Sequence, residues 1–149
     1  MKSSCSRRTV LRGIGVVAAL RVLPSCTSPG SDLAHAKSTS CGGDGFCIDT
    51  TDPANKVLAS AGGAMLVGIP TGDTVMVIRS SDTEVVALSA ICTHQQCSMN
   101  FDADQQLIVC PCHGSQFDEE GNVVNGPAEE PIRVYSASLM SDTIRVITS

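Results

Sequence analysis

The 149-residue chain has no tryptophan, one tyrosine and three phenylalanines, so aromatics make up only 3% of it. Its 42% apolar content allows one modest core. A small domain poor in large side chains is commonly reinforced by a metal or by disulfides, and eight cysteines meet that need. Acids are missing before Asp32, where Lys2, Arg7, Arg8, Arg12 and Arg21 supply five of the ten bases. From Asp32 onward five bases face fifteen acids, a net charge of −10. An acidic body repels phosphates, which excludes DNA and RNA as partners. It leaves open a basic protein partner or a solvated surface with no specific partner. The apolar run over residues 13–23 is interrupted by Arg21 and falls well short of the roughly twenty residues a membrane-spanning helix needs. Histidine is limited to His35, His94 and His113. The last two sit among cysteines, so no Ser-His or Cys-His pair remains for nucleophilic work, and an independent enzyme is not expected.

The N-terminus reads as an address. Ser6-Arg7-Arg8-Thr9-Val10-Leu11-Arg12 followed by a short apolar stretch has the order of a signal peptide. The paired arginines resemble the twin-arginine export signal, although Val10 stands where such signals often have Phe. That pathway carries folded proteins, which suits a cofactor inserted before export. An ordinary secretory signal with adjacent arginines is the alternative. Residues 1–36 are assigned to the signal, with two processing outcomes open. Leu23-Pro24-Ser25-Cys26 resembles a bacterial lipobox in which Cys26 would carry the lipid, while Ala34-His35-Ala36 offers a small-x-small cleavage site. The first tethers the protein to a membrane surface and the second makes it soluble. Cys5 falls inside the signal.

Residues 37–55, rich in Ser, Thr, Gly, Pro and Asp, read as a flexible linker, and His35 just before them reads as an ordinary residue of the same stretch. Cys41 and Cys47 flank Gly42-Gly43-Asp44-Gly45-Phe46 and would close a small disulfide loop in an oxidising compartment; a second metal site there lacks further ligands. Residues 56–149 form the domain proper. Its β-branched runs, residues 57–60, 65–69, 75–79, 84–89, 106–110, 133–138 and 143–147, are separated by turn signals such as Pro70-Thr71-Gly72-Asp73 and Ser80-Ser81-Asp82. Short, closely spaced strands without helical periodicity predict an all-β sandwich or barrel.

Two of the three histidines lie beside four of the eight cysteines, in Cys92-Thr93-His94-Gln95-Gln96-Cys97 and Cys110-Pro111-Cys112-His113-Gly114-Ser115. Thiolate and imidazole together favour zinc or an iron–sulfur centre. Cys-x-His and Cys-x-x-His turns facing each other supply two thiolates and two imidazoles. That set suits one zinc, or a [2Fe–2S] cluster with two Cys on one iron and two His on the other. The single residue between Cys92 and His94 is tighter than the usual structural zinc spacing. Spacing leans toward the cluster without deciding it.

Cys92-x-His94-x(15)-Cys110-x-x-His113, continued by Gly114-Ser115-x-Phe117-Asp118-x-x-Gly121 and Gly126-Pro127-Ala128, closely resembles the Rieske family. The resemblance extends over about residues 56–147. It implies the Rieske fold, small antiparallel sheets with an inserted cluster-binding subdomain. It also implies a [2Fe–2S] cluster, with Cys92 and Cys110 on the inner iron and His94 and His113 on the outer. Cys97 and Cys112 match the extra cysteines of the subclass found in cytochrome bc complexes, where they form a disulfide between the two loops. Ser115 matches a serine whose hydroxyl reaches a bridging sulfide. Phe117 stands where high-potential members have a tyrosine that donates to a ligating sulfur, which predicts a lowered potential. Gln95-Gln96 replaces the more usual Leu-Gly, which puts the apolar quinone-docking surface in doubt.

The resemblance implies electron transfer outside the cytoplasm, in a bacterial periplasm or on the outer face of the membrane. Three placements follow: a free or lipid-tethered one-electron carrier, the small subunit of a larger oxidoreductase such as a molybdenum-containing oxidase, or the Rieske subunit of a quinol–cytochrome c reductase. A structural zinc module is the reading from a different class. Glu119, Glu120, Glu129 and Glu130 beside the cluster loops are candidates for an acidic docking face.

Overall fold

A computed structural model of the chain describes residues 31–149. The paired arginines, Cys5 and the lipobox-like Cys26 lie outside the described residues. Eleven strands are present: β1 Thr39–Ser40, β2 Gly45–Asp49, β3 Ala64–Gly68, β4 Thr74–Ile78, β5 Val86–Ser89, β6 Asn100–Asp102, β7 Leu107–Val109, β8 Gln116–Phe117, β9 Val123–Asn125, β10 Val134–Met140 and β11 Thr143–Ile147. They form two antiparallel sheets. The larger has the order β1-β2-β11-β10-β5-β4-β3, and β6-β7-β8-β9 form the smaller, inserted between β5 and β10. Among the described residues no helix is long and apolar enough to cross a membrane.

The central strands explain why the sequence shows apolar runs here rather than clean alternation. In β3, β4 and β5, Ala64, Leu66, Met76, Ile78 and Leu88 face one core, while Met65, Val67, Val75, Val77 and Ala87 face another. Successive side chains of a strand point to opposite faces, so a strand buried on both sides must be apolar throughout. The first core continues into the small sheet through Met99, Ile108 and Phe117 and reaches Cys92 and Cys110. The second is closed by Phe46, Ile48, Leu58, Tyr135, Ile144 and Val146. The large sheet is thus the floor on which the cysteine-bearing loops stand.

Of residues 57–60, expected as a strand, the first three instead belong to a 3-10 helix, Pro53–Ala59, and Ser60 is its C-cap. Asp52 caps it, its carboxylate accepting from the Ala54 N–H at 3.0 Å, and Pro53 occupies the first turn, where its missing N–H costs nothing. Leu58 is fully buried on its inner side. Gly63 lets the helix approach β3: a Cβ there would lie 1.9 Å from the Val57 carbonyl oxygen.

The stretch expected as linker over residues 37–55 contains structure from β1 onward. β2 pairs along its whole length with β11, from Gly45 opposite Ile147 to Asp49 opposite Thr143. Phe46 and Ile48 are buried while Cys47 between them is half-exposed. Two apolar side chains in a Gly/Ser/Asp-rich stretch gave too short an alternation to register, and only the partner strand completes it. The Cys41–Cys47 disulfide closes the β1–β2 turn.

Tyr135 ties β10 to the turn before β4. Its hydroxyl donates to Asp73 Oδ2 at 2.7 Å, and Asp73 Oδ1 accepts from the Thr74 N–H at 2.7 Å. Burial, with Asp73 beside it, pushes the phenol up to about 12. The folded protein keeps this proton at pH values where an unfolded tyrosine, near pH 10, releases it. The unfolded state therefore binds fewer protons across this window, and stability falls as pH rises from about 10 to about 12. The expected loss is about 2 kcal/mol. Tyr135→Phe should cost about 1.5 kcal/mol at neutral pH and abolish that extra alkaline loss. Urea midpoints of both proteins at pH 8, 10 and 12 check this; parallel pH curves would contradict it.

Candidate metal centre

The two cysteine- and histidine-bearing loops are built alike. In the first, the Cys92 N–H donates to the Cys97 carbonyl at 2.9 Å and the Gln96 N–H returns to the Cys92 carbonyl at 3.0 Å. In the second, Cys110 donates to the Ser115 carbonyl at 2.8 Å and Gly114 returns to Cys110 at 3.0 Å. Each loop turns on a residue with positive φ at the same place, Gln96 at 55° and Gly114 at 81°. Gly114 takes up this left-handed backbone freely, whereas Gln96 carries a Cβ penalty. The hairpin β6–β7, in register from Asn100 opposite Val109 to Asp102 opposite Leu107, brings the second loop back to the first. Its turn is held by Asp102, whose carboxylate accepts from the N–H groups of Asp104 and Gln105, each at 3.1 Å.

The loops are locked to each other and to a third segment. Cys97 and Cys112 form a disulfide across them. Thr93 Oγ1 donates to the Glu130 carbonyl at 2.8 Å, and Ser115 Oγ accepts from the Ala128 N–H at 3.0 Å. The segment from Ala128 to Glu130 thereby bonds to both loops. These bonds fix the loop backbones without using Cys92, Cys110, His94 or His113 side chains.

Those four side chains divide by depth. Cys92 and Cys110 are free thiols, each 1% exposed. His94 and His113 are exposed, with ring centroids 5.0 Å apart and planes at 87°. Burial pushes the Cys110 thiol up, the backbone N–H groups of Cys112 and His113 pull it down, and the adjacent Cys92 sulfur raises it again. Two neighbouring buried thiols with amide N–H groups aimed at one of them suit thiolates neutralised by a metal ion. Ser115 adds a further sign. It is fully buried, and accepting from Ala128 uses a lone pair, so its own O–H remains available. Among the described residues that proton has no protein acceptor. A buried donor left over calls for a partner, and a sulfide would be one. The residues fit an iron–sulfur group with sulfur ligands inside and nitrogen ligands outside.

Proximity alone would pick different ligands. The sulfurs of Cys97, Cys110 and Cys112 lie within 4.8 Å of one another, but Cys97 and Cys112 are bonded together and offer no thiolate. Phe117, with no hydroxyl, is fully buried in the core that contains Cys92 and Cys110. Of the four acids considered for docking, Glu129 and Glu130 are exposed beside the first loop. Glu119 is half-buried, with one carboxylate oxygen accepting from Ser80 Oγ, so it does not belong to an open face. Cys41 and Cys47 are joined on the large sheet, and His35 pairs with Leu66; neither contributes to the centre. Asn55 and Ser31 went unnoticed in the sequence because their roles depend on segments far along the chain.

Comparison with known proteins agrees with this geometry. Residues 54–136 match the family model of the Rieske [2Fe-2S] domain. Among curated proteins, the cytochrome b6-f complex iron-sulfur subunit 2 of Nostoc sp. is 33% identical over 95 residues, covering 62% of this chain and 53% of that protein. The cytochrome b6-f complex iron-sulfur subunit of Synechococcus elongatus is 37% identical over 79 residues, covering 52% and 44%. The chain thus spans about half the length of the curated relatives it matches. Among solved structures, the cyanobacterial plasma membrane Rieske protein of Synechocystis PCC 6803 superposes with a TM-score of 0.53 at 30% identity, over 58% of this chain and 87% of that one. The ferredoxin of carbazole 1,9a-dioxygenase from Nocardioides aromaticivorans IC177 does so equally, with TM-score 0.53 and 30% identity, over 60% and 88%. Fold therefore does not separate the two kinds of relative. The all-β architecture and the match over more than half of its length identify the chain as a member of the Rieske [2Fe-2S] family, whose domain binds a [2Fe–2S] cluster.

Proposed function

We propose that this chain is an exported one-electron transfer protein, acting as a carrier or as the small redox subunit of a larger oxidoreductase, with Cys92, Cys110, His94 and His113 holding its cluster. The observation that carries this reading is the division of that set by depth: two thiols buried on the first core and two imidazoles exposed at the same tip. When bound, the cluster supplies exchange of a single electron. Cys92 and Cys110 would hold it from the buried side, away from water, and the exposed His94 and His113 would hold it from the side facing a partner. The free Ser115 hydroxyl proton would be available to donate to its sulfur, and the disulfide with the Thr93–Glu130 bond ties the loops that carry these residues together.

Export is supported by the basic, apolar N-terminal sequence and by two disulfides, which persist in oxidising compartments. Attachment to the outer face of a membrane through Cys26 is supported by the lipobox-like sequence before it. A second placement, as the Rieske subunit of a quinol-oxidising complex, is favoured by the cytochrome b6-f subunits among the relatives and by the loop disulfide.

The experiment that tests the function is an EPR-monitored redox titration of the purified protein, followed by stopped-flow electron exchange with basic and acidic cytochromes c. A rhombic signal titrating as one electron, and faster exchange with the basic partner at low salt, are expected. A protein that binds zinc and shows no reducible signal after iron reconstitution would sink the proposal. Glu129→Gln with Glu130→Gln should slow exchange with the basic cytochrome about threefold at low ionic strength and flatten its salt dependence. An unchanged salt slope would remove these acids from the docking face.

A further inference from the structure

The segment before β1 is not a tail. Leu66 in β3 donates its N–H to the Ala34 carbonyl at 2.9 Å, and the Ala36 N–H donates to the Leu66 carbonyl at 2.7 Å, placing His35 beside Leu66 as a parallel bridge. A few residues on, Thr39 and Ser40 pair with Cys47 and Phe46 of β2. β3 and β2 are the elements between which the large sheet would otherwise be open. One short stretch of chain, residues 34–40, bonds to both and closes the sheet into a barrel. Closure of this kind removes an exposed strand edge.

Its anchors are specific. Asn55 is 1% exposed; its Oδ1 accepts from the Lys37 N–H at 2.7 Å, and its Nδ2 donates to the carbonyls of Lys37 at 2.8 Å and Asp49 at 2.9 Å. Lys37 Nζ pairs with Asp52 Oδ2 at 2.7 Å. At the other end, Asn100 Oδ1 in β6 accepts from Ser31 Oγ and from the Asp32 N–H, both at 2.8 Å. Leu33 packs on the first core, which contains Cys92 and Cys110, and Ala36 on the second. The segment therefore crosses from the cluster-bearing sheet to the barrel and bonds to both.

We propose that residues 31–40 form a permanent closing strap of the folded domain, and that any proteolytic removal of the basic N-terminal segment takes place before Ser31 rather than after Ala36. Cleavage after Ala36 would leave the Leu66 N–H and carbonyl unpaired on a strand that is 4% exposed at that residue, strip Leu33 from the core beneath the cluster loops and leave Asn100 without its two donors. A buried polar group deprived of its partner is costly. The maturation clause rests on the export reading; the strap does not.

Trypsin reads the strap directly, because Lys37 lies within it. In the full-length holoprotein the Lys37–Ser38 bond should resist cleavage, while Leu33→Ala, Asn100→Ala and Ala36→Pro, the last removing the N–H that bonds Leu66, should each speed that cut at least tenfold and lower the urea midpoint. Intact mass of the protein recovered from a bacterial host expressing the full chain gives its N-terminus, expected at or before Ser31. Wild-type cleavage at Lys37 as fast as in a free peptide of the same sequence overturns the strap. A mature chain starting at Lys37 overturns the maturation clause. An unprocessed chain confined to the cytoplasm overturns the export reading and the clause with it, and the trypsin comparison still decides the strap.

Discussion

Replacing His94 or His113 with alanine, or Cys92 or Cys110 with serine, should remove the visible absorption and the bound iron, whereas the double change Cys97→Ser with Cys112→Ser should keep both. The contrast follows from how the six side chains are disposed. Cys92 and Cys110 are free and buried, the two imidazoles are exposed and lie edge-to-face with each other, and the sulfurs of Cys97 and Cys112 are joined. If these four hold the cluster, loss of one would leave it short of a ligand, or leave a buried thiolate with nothing to neutralise it. Loss of the disulfide leaves the ligand set intact but frees two loops otherwise closed over a sequence separation of 15. A loop of that size contributes about 3 kcal/mol by restricting the unfolded chain. The double-serine protein should therefore unfold at lower urea, and should lose its cluster faster on warming, with an unchanged iron-to-protein ratio when freshly purified. Iron analysis, absorption spectra and urea titration of the set decide the matter. Retention of iron by a His113→Ala protein, or immediate loss by the double-serine protein, would mean that the ligand assignment is wrong.

How much of this was readable in the sequence depended on distance along the chain. The cysteine and histidine spacings are local and survive without a structure, as do the strands with long β-branched runs, such as β4 and β11. β8 is two residues long and β6 and β9 three each, too short for any period to emerge. They exist because neighbouring strands complete their hydrogen bonds. The 3-10 helix was signalled by Asp52-Pro53, a cap followed by proline, but the valine and leucine after it suggested a strand. The division of β3, β4 and β5 between two cores cannot be read from apolar runs, which look the same whether one sheet or two layers cover them. The strap was hidden most completely. Its bonds to Leu66, Asn55 and Asn100 join residues 18 to 69 positions apart, and its composition is that of a linker. In the second cysteine loop Gly114 stood out only as part of the family's motif; Gln96, a departure from the family's Leu-Gly at the matching position of the first loop, adopts the same left-handed backbone.

Phe117→Tyr should raise the reduction potential by about 50 mV. Phe117 is fully buried in the same core as Cys92 and Cys110, as the last residue of β8. A hydroxyl added to its ring would enter the apolar core that also holds the Cys92 and Cys110 thiols. Reduction adds negative charge to the cluster, and a donated hydrogen bond to sulfur stabilises the reduced form more than the oxidised one. A differential bond of about 1.2 kcal/mol corresponds to about 50 mV for a single electron. Ser115 already supplies one donor, so the two effects can be compared: Ser115→Ala should lower the potential by a similar amount, and should also release the Ala128 N–H that its oxygen accepts from. The double variant, Phe117→Tyr with Ser115→Ala, should return close to the wild-type value if the two donors act on sulfur independently. Titrations of all four proteins at one pH, with unfolding midpoints measured alongside, separate tuning from damage. A potential that stays fixed in Phe117→Tyr while its stability falls would show the added hydroxyl turned away from sulfur, making the phenylalanine a packing residue only. A rise in potential with stability unchanged would make Phe117 a determinant of which electron donors this protein can accept from.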